Sequence, residues 1–286
     1  MRVSTRVVLL LALLASVLSF AKFNHCASTG WQSPDQYVHA CYSDIPALYG
    51  ERGLDKGVWA YSAGADSVEY PVIQGVIMWV SAKVIPDGIN NYFYGSALLL
   101  ALLFIFISLL TFRIKPEFGY LLPLAPAAVA SLYINWDLWA IATMMLAIYW
   151  FDRKQYLYSA LIMGVSISTK FLPIFLLIPI AFILWRDDKV RELIKYCGVV
   201  AATWIAINLP FTLTTPTGWW RFYKLNLERG PDWGSFWLAL QQLGISLTNL
   251  NYLSVLLLLI ALTTVAILLF ELKYTPTLAS VAFIVL

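Results

Sequence analysis

Three acidic residues matter most in the longest polar segment of this 286-residue chain: Asp44, Asp55 and Glu69. Asp44 lies in Tyr-Ser-Asp-Ile-Pro. A carboxylate on a partly apolar segment beside a bilayer can take a proton from a hydroxyl as a general base. The same residue, followed by Ile-Pro, reads equally as a helix N-cap. The residues alone leave both readings open. Glu69 and Tyr70 precede Pro71. That acid either positions a substrate or a basic partner, or favours a helix N-terminus by its charge. Asn135-Trp136-Asp137 fills a very short turn between apolar runs. Charge within membrane segments is costly and often functional. The bland alternative is a cap by Asp137, with Trp136 as an interfacial anchor.

The cations complete the set. Lys170 follows Ser168 and Thr169 at the end of an apolar run. Its ammonium is a compact charge for a lipid phosphate, although snorkelling to the headgroups would also place it there. Arg221, Lys224 and Arg229 are interleaved with aromatics between Gly218 and Trp237, with Glu228 beside Arg229. Rings stacking on sugar faces and cations on phosphate suit a glycolipid. An interfacial amphipathic helix accounts for the same pattern. The chain has no P-loop, no Gly-x-Gly-x-x-Gly and no Gly-x-Ser-x-Gly, so nucleotide-driven and serine-hydrolase chemistry have no support. His25 and His39 share the first polar loop, but no Cys-x-x-Cys or His-x-x-x-His spacing supports a metal site. No cofactor is expected and no metal ligand is assigned; metal dependence stays open.

The elements that must hold these groups are apolar. The chain is 60% hydrophobic and 12% charged, half the roughly 25% charged residues of a soluble domain. That composition predicts an all-α polytopic membrane protein. The basic residues are scattered as loop markers and form no stripe, which argues against a nucleic-acid partner and leaves membrane lipids. A basic start with Arg2 and Arg6 leads into apolar Val7 to Ala21. No small-x-small cleavage site precedes Lys22, so this reads as an uncleaved first span. The run from Pro71 to Ile85 holds Gln74 and Lys83 and falls short of the ~20 residues of a span. It reads as an interfacial or re-entrant helix.

Leaving 71–85 uncrossed puts Arg113 and Lys115, Arg153 and Lys154, Arg186 to Lys195, and Lys273 on the side of Arg2 and Arg6. The positive-inside rule makes that side cytoplasmic. The predicted spans are 7–22, 93–112, 119–134, 138–151, 156–169, 171–185, 193–209 and 250–270, with a partial one over 275–286. The last is cut at Leu286, as in a fragment of a longer protein. Loops 23–92 and 210–249 are then extracytoplasmic, turning at Gly50, Gly53, Gly57 and Gly64 and closing near Ser246. Asp44, Glu69, Asn135, Asp137, Lys170 and the Gly218–Trp237 block share that face. In an outward, oxidising loop Cys26 and Cys41 are expected to pair. Cys197, in an apolar run, reads as a small hydrophobe.

At these residues the sequence resembles actinobacterial integral membrane proteins of glycosyltransferase family 87. The resemblance is carried in order by Cys-Tyr-Ser-Asp-Ile-Pro-Ala-Leu-Tyr (41–49), Glu-Tyr-Pro-Val (69–72), Ile-Asn-Trp-Asp-Leu (134–138), Ser-Thr-Lys-Phe-Leu-Pro (168–173) and Glu-Arg-Gly-Pro-Asp-Trp-Gly-Ser (228–235). It implies a GT-C-like transmembrane bundle whose large first extracytoplasmic loop carries interfacial helices. The implied activity is an α-mannosyltransferase using a polyprenyl-phosphate sugar outside the plasma membrane, with an envelope glycolipid or polysaccharide as acceptor. The resemblance puts the family's first-loop catalytic aspartate on Asp44, the base for an inverting attack at the anomeric carbon. Lys170, with Arg229 or Arg221, would balance the leaving phosphate. Glu69, Tyr70, Asn135, Asp137 and Glu228 would bind substrate or support the site. Two rivals are a lipid or glycolipid transporter, whose sites belong near the bilayer midplane, and a non-catalytic scaffold of an envelope-synthesis complex.

Overall fold

A computed structural model describes residues 4–62, 67–232, 234–245 and 248–285; Arg2, Gly64, Trp233, Ser246 and Leu286 lie outside them. Among the described residues the chain is helical, without a strand. In order the helices are α1 (Thr5–Ser28), α2 (Asp35–Val38), α3 (Asp44–Glu51), α4 (Val72–Val84), α5 (Ile89–Ile114), α6 (Leu121–Leu124), α7 (Pro126–Ser131) and α8 (Leu138–Asp152). They continue as α9 (Tyr156–Thr169), α10 (Leu177–Arg186), α11 (Val190–Thr214), α12 (Pro216–Glu228), α13 (Phe236–Gln242), α14 (Leu250–Glu271) and α15 (Leu278–Val285). By length and composition α1, α5, α11 and α14 can each cross a membrane. They turn Leu10, Val17, Leu98, Leu259 and Ile260 outward, a surface suited to hydrocarbon and costly in water. The protein is an all-α membrane protein.

Two predicted spans come out differently. The 119–134 stretch is two short helices, α6 and α7, and no single span. Pro126 has no N–H to donate, and its ring pushes Ala125 into extended backbone (φ −67°, ψ 122°), so the helix breaks there. The 171–185 stretch opens as a 3-10 turn over Leu172–Leu176, around Pro173, and becomes α-helical only at Leu177. With 15, 14 and 10 residues, α8, α9 and α10 are shorter than the roughly 20 of a spanning helix.

Two apolar cores divide the molecule. The first joins α1, α3, α4, α5 and residues 132–136. Here α1 and α5 run antiparallel, with Phe20 and Phe23 against Phe93. The Asn90 amide donates to the Ala27 carbonyl (3.0 Å) and the Trp31 indole donates to Asn90 (2.9 Å). The second core gathers α8, α9, α10, α11, α14 and α15 around Met163, Ile180 and Tyr196. At its far end Asp152 accepts the Leu278 and Ala279 N–H groups (2.7 and 3.1 Å), satisfying the open start of α15.

The α4 helix stays with the polar loop along its whole length. Gly75 lies against Tyr61, Trp79 packs edge-on against Trp59 (4.9 Å), and the Lys83 side chain reaches Gly57. Every fourth residue of the helix therefore meets every second residue of the loop. Gly57 itself sits at φ +73°, which favours glycine. This pairing accords with a helix that lies on the loop rather than one that leaves it.

Candidate active site

Ser43 caps α3: its hydroxyl accepts from the Ile45 N–H (3.2 Å) and donates to the Tyr133 carbonyl (2.7 Å). Asp44 is thus a first-turn residue and not the cap, which removes the bland reading of that carboxylate. Its backbone N–H donates to the Ile134 carbonyl (2.7 Å), fastening the loop to the turn before α8. The carboxylate is left for side chains. Oδ1 accepts from the Tyr42 hydroxyl (2.9 Å) and Oδ2 from the Tyr70 hydroxyl (3.3 Å).

Burial pushes the proton affinity of Asp44 above the usual carboxylate range. The two phenol hydrogen bonds favour the charged form and oppose that rise, while the Asp137 and Glu69 carboxylates nearby add to it. Tyr42 and Tyr70 are themselves pushed well up, first by burial and then by the Asp44 charge, so both remain donors.

The surrounding acids are paired. Glu69 receives two hydrogen bonds of 2.6 Å from Arg52, a bidentate fork with both side chains largely buried. The sequence reading did not single out Arg52; only its place in the same polar segment could have pointed to it. Asp137 is ion-paired with Lys170, which joins the start of α8 to the end of α9. Its N–H donates to the Asn135 side chain (3.0 Å), which sets the turn. Lys170 keeps 39% of its side chain exposed while paired to Asp137. Trp136 is buried among Tyr70 and Tyr92. It is a core residue, and the interfacial-anchor reading is corrected.

The second polar block reaches this end through hydrogen bonds of its own. Trp219 on α12 donates to Asn208 on α11 (2.9 Å), and Asn208 donates to Ser168 on α9 (3.3 Å). Gly218 is pressed against the Tyr61 backbone. Arg221 is half-buried, with Nε shielded and without a hydrogen-bond partner. Arg229 pairs with Asp232, and Glu228 is exposed at the end of α12. No hydrogen bond or ion pair described for Arg229 or Glu228 reaches Asp44, Glu69 or Asp137, so these two are not brought into the cluster. Asp55 is exposed as well.

An apolar groove of about 400 Å³ opens between α5, α6, α7 and α8. Phe104, Ile107, Leu122 and Ile141 line it, and Asn135 and Asp137 supply its polar end. Cys26 and Cys41 form a disulfide that closes the loop between α1 and α3. Cys197 is exposed on α11. No known family's profile, no curated protein and no solved structure matches the chain, so any function must be argued from these residues.

Proposed function

We propose that the protein is a glycosyltransferase of the plasma membrane with a GT-C-type bundle. It would move a hexose, mannose foremost, from a polyprenyl-phosphate sugar to a hydroxyl of an envelope glycolipid or polysaccharide on the extracytoplasmic face. The observation that carries this reading is Asp44: a half-buried carboxylate of raised proton affinity, held by two phenols beside two ion pairs. In the reaction Asp44 takes the proton of the acceptor hydroxyl. The acceptor oxygen attacks the anomeric carbon, the carbon–oxygen bond to the lipid phosphate breaks, and its electron pair leaves with the phosphate. Configuration at that carbon inverts.

Lys170 supplies positive charge for the departing phosphate, and Arg221 is a second donor of the same kind. Arg229 and Glu228 have a weaker claim, because their described partners lie elsewhere. The groove ending at Asn135 and Asp137 has the apolar lining that a prenyl chain needs. A transporter would need ionisable groups near the middle of the bundle. Asp44, Glu69, Asp137 and Lys170 gather at one end and Asp152 stands at the other, which favours the enzyme. A scaffold would keep the same architecture and lose nothing on neutralising Asp44.

The test is sugar transfer from radiolabelled polyprenyl-phosphate-mannose, comparing membranes holding the full-length protein with those holding Asp44→Asn at matched expression. Transfer by the first and loss in the second is expected. Equal transfer by both moves the base to Glu69 or Asp137. No transfer by either, with other donor sugars also tried, favours the transporter or the scaffold.

A further inference from the structure

We propose a zinc-class divalent cation site formed by His25, Asp35 and His39, separate from the Asp44 cluster and independent of the glycosyltransferase reading. His25 lies in the last turn of α1, Asp35 opens α2 and His39 ends it. The spacing of four between Asp35 and His39 puts them on one face of that turn. The carboxylate reaches both rings: His25 Nε2 lies 3.2 Å from Oδ2 and 3.4 Å from Oδ1, and His39 Nδ1 lies 2.9 Å from Oδ1. One donor atom from each of the three residues falls within 4.8 Å of the others. Around a zinc ion with bonds of about 2.0 Å, neighbouring donors stand about 3.3 Å apart in a tetrahedral shell. The carboxylate already stands near that spacing from each ring nitrogen, and the two ring nitrogens lie within 4.8 Å of one another.

The rings are close enough to share one ion: their centroids lie 4.1 Å apart. Two imidazoles and a carboxylate form a mixture of nitrogen and oxygen donors that suits zinc. The surroundings hold the ligands in place. The Thr29 hydroxyl donates to Asp35 Oδ2 (2.7 Å), the outer hydrogen bond that orients a ligating carboxylate. The Cys26–Cys41 disulfide fixes both ends of the loop, with His25 beside one cysteine and His39 two residues before the other. Sequence spacing concealed the site, because its acidic ligand has no motif in common with either histidine.

These are the chain's only two histidines, so a histidine-directed reagent reads the site without any mutation. The protein should be purified in detergent through a tag free of histidine, stripped with a chelator, and treated with diethylpyrocarbonate with and without Zn²⁺. Protection of both His25 and His39 by Zn²⁺ is expected. Titration with Zn²⁺ should show one ion per chain, with affinity falling at least roughly a hundredfold in His25→Gln, Asp35→Asn and His39→Gln and about tenfold in Thr29→Ala. Equal modification of both histidines with and without Zn²⁺ overturns the site, as does undiminished binding by a His25→Gln/His39→Gln double variant. If the variants do not fold, the protection experiment on the unaltered protein decides alone.

Discussion

Tyr42 and Tyr70 govern how readily Asp44 gives up its proton. Each donates a hydrogen bond to the carboxylate, and a bond to the charged form favours it. Tyr70→Phe therefore raises the proton affinity of Asp44 further. If Asp44 is the base, transfer rises with pH through a limb above the ordinary carboxylate range, and Tyr70→Phe moves that limb to higher pH. A pH–rate profile of both forms checks this; an unmoved limb would take Asp44 out of the rate equation. Stability runs the other way. Burial raises the folded-state value, so the folded protein keeps a proton that the unfolded chain has released. Stability from this group falls as pH rises from the unfolded to the folded value, and the charge is a net cost at neutral pH. Asp44→Asn should accordingly melt at or above the unaltered protein, by up to about 1 kcal/mol, while losing transfer. A clear fall in melting temperature would mark Asp44 as structural instead. Asp44 stands out in the sequence because Tyr42, Ser43 and Pro46 form a local pattern around it, although the residues alone leave it open between a base and a cap. Arg52 as the partner of Glu69 does not, since that fork exists only after 17 residues of loop have folded back.

At the scale of elements, the site depends on short helices as well as long ones. The α12 helix is docked by Gly218, where a side chain would overlap the Tyr61 carbonyl. Gly218→Val should therefore detach α12, costing about 1–3 kcal/mol and exposing the 215–230 segment to protease; limited proteolysis beside a thermal melt measures both. An unaltered melt and cleavage pattern would show that α12 is held by Trp219 and its hydrogen bond to Asn208 instead. Hydropathy alone located the apolar runs that became α5, α8, α9, α11 and α14, because their lengths and apolar character are written locally. It misjudged 119–134, where composition is apolar throughout but Pro123 and Pro126 interrupt the backbone. Proline, rather than hydrophobicity, decided that segment.

For the whole molecule, the acids, the phenols, Lys170 and the disulfide gather at the end built on the first core, while Arg113, Lys115, Asp152 and Arg153 surround a cavity at the other end. Such a division was foreseeable from the spacing of the basic clusters. The contacts across it were not, because pairs such as Asp137 with Lys170 bridge separate helices. Thiol chemistry reads the arrangement. In unfolded, unreduced protein, maleimide should label Cys197 alone, and all three cysteines after reduction. In intact cells, a reductant that cannot cross the membrane should open Cys26 and Cys41 to an equally impermeant label. Failure of that second step, with Cys26 and Cys41 labelled only after lysis, would put the Asp44 loop inside.

The meshing of α4 with Gly57–Tyr61 also sets which changes in chain length this end can absorb. Gly75, Trp79 and Lys83 are in step with Tyr61, Trp59 and Gly57. One residue inserted into the middle of α4 would turn everything after it by about 100°, and Trp79 and Lys83 would swing away from the loop together. Exposed Val80 and Val84 can vary in type. The count of residues cannot vary within Gly57–Tyr61 or within Gly75–Lys83 without breaking this match.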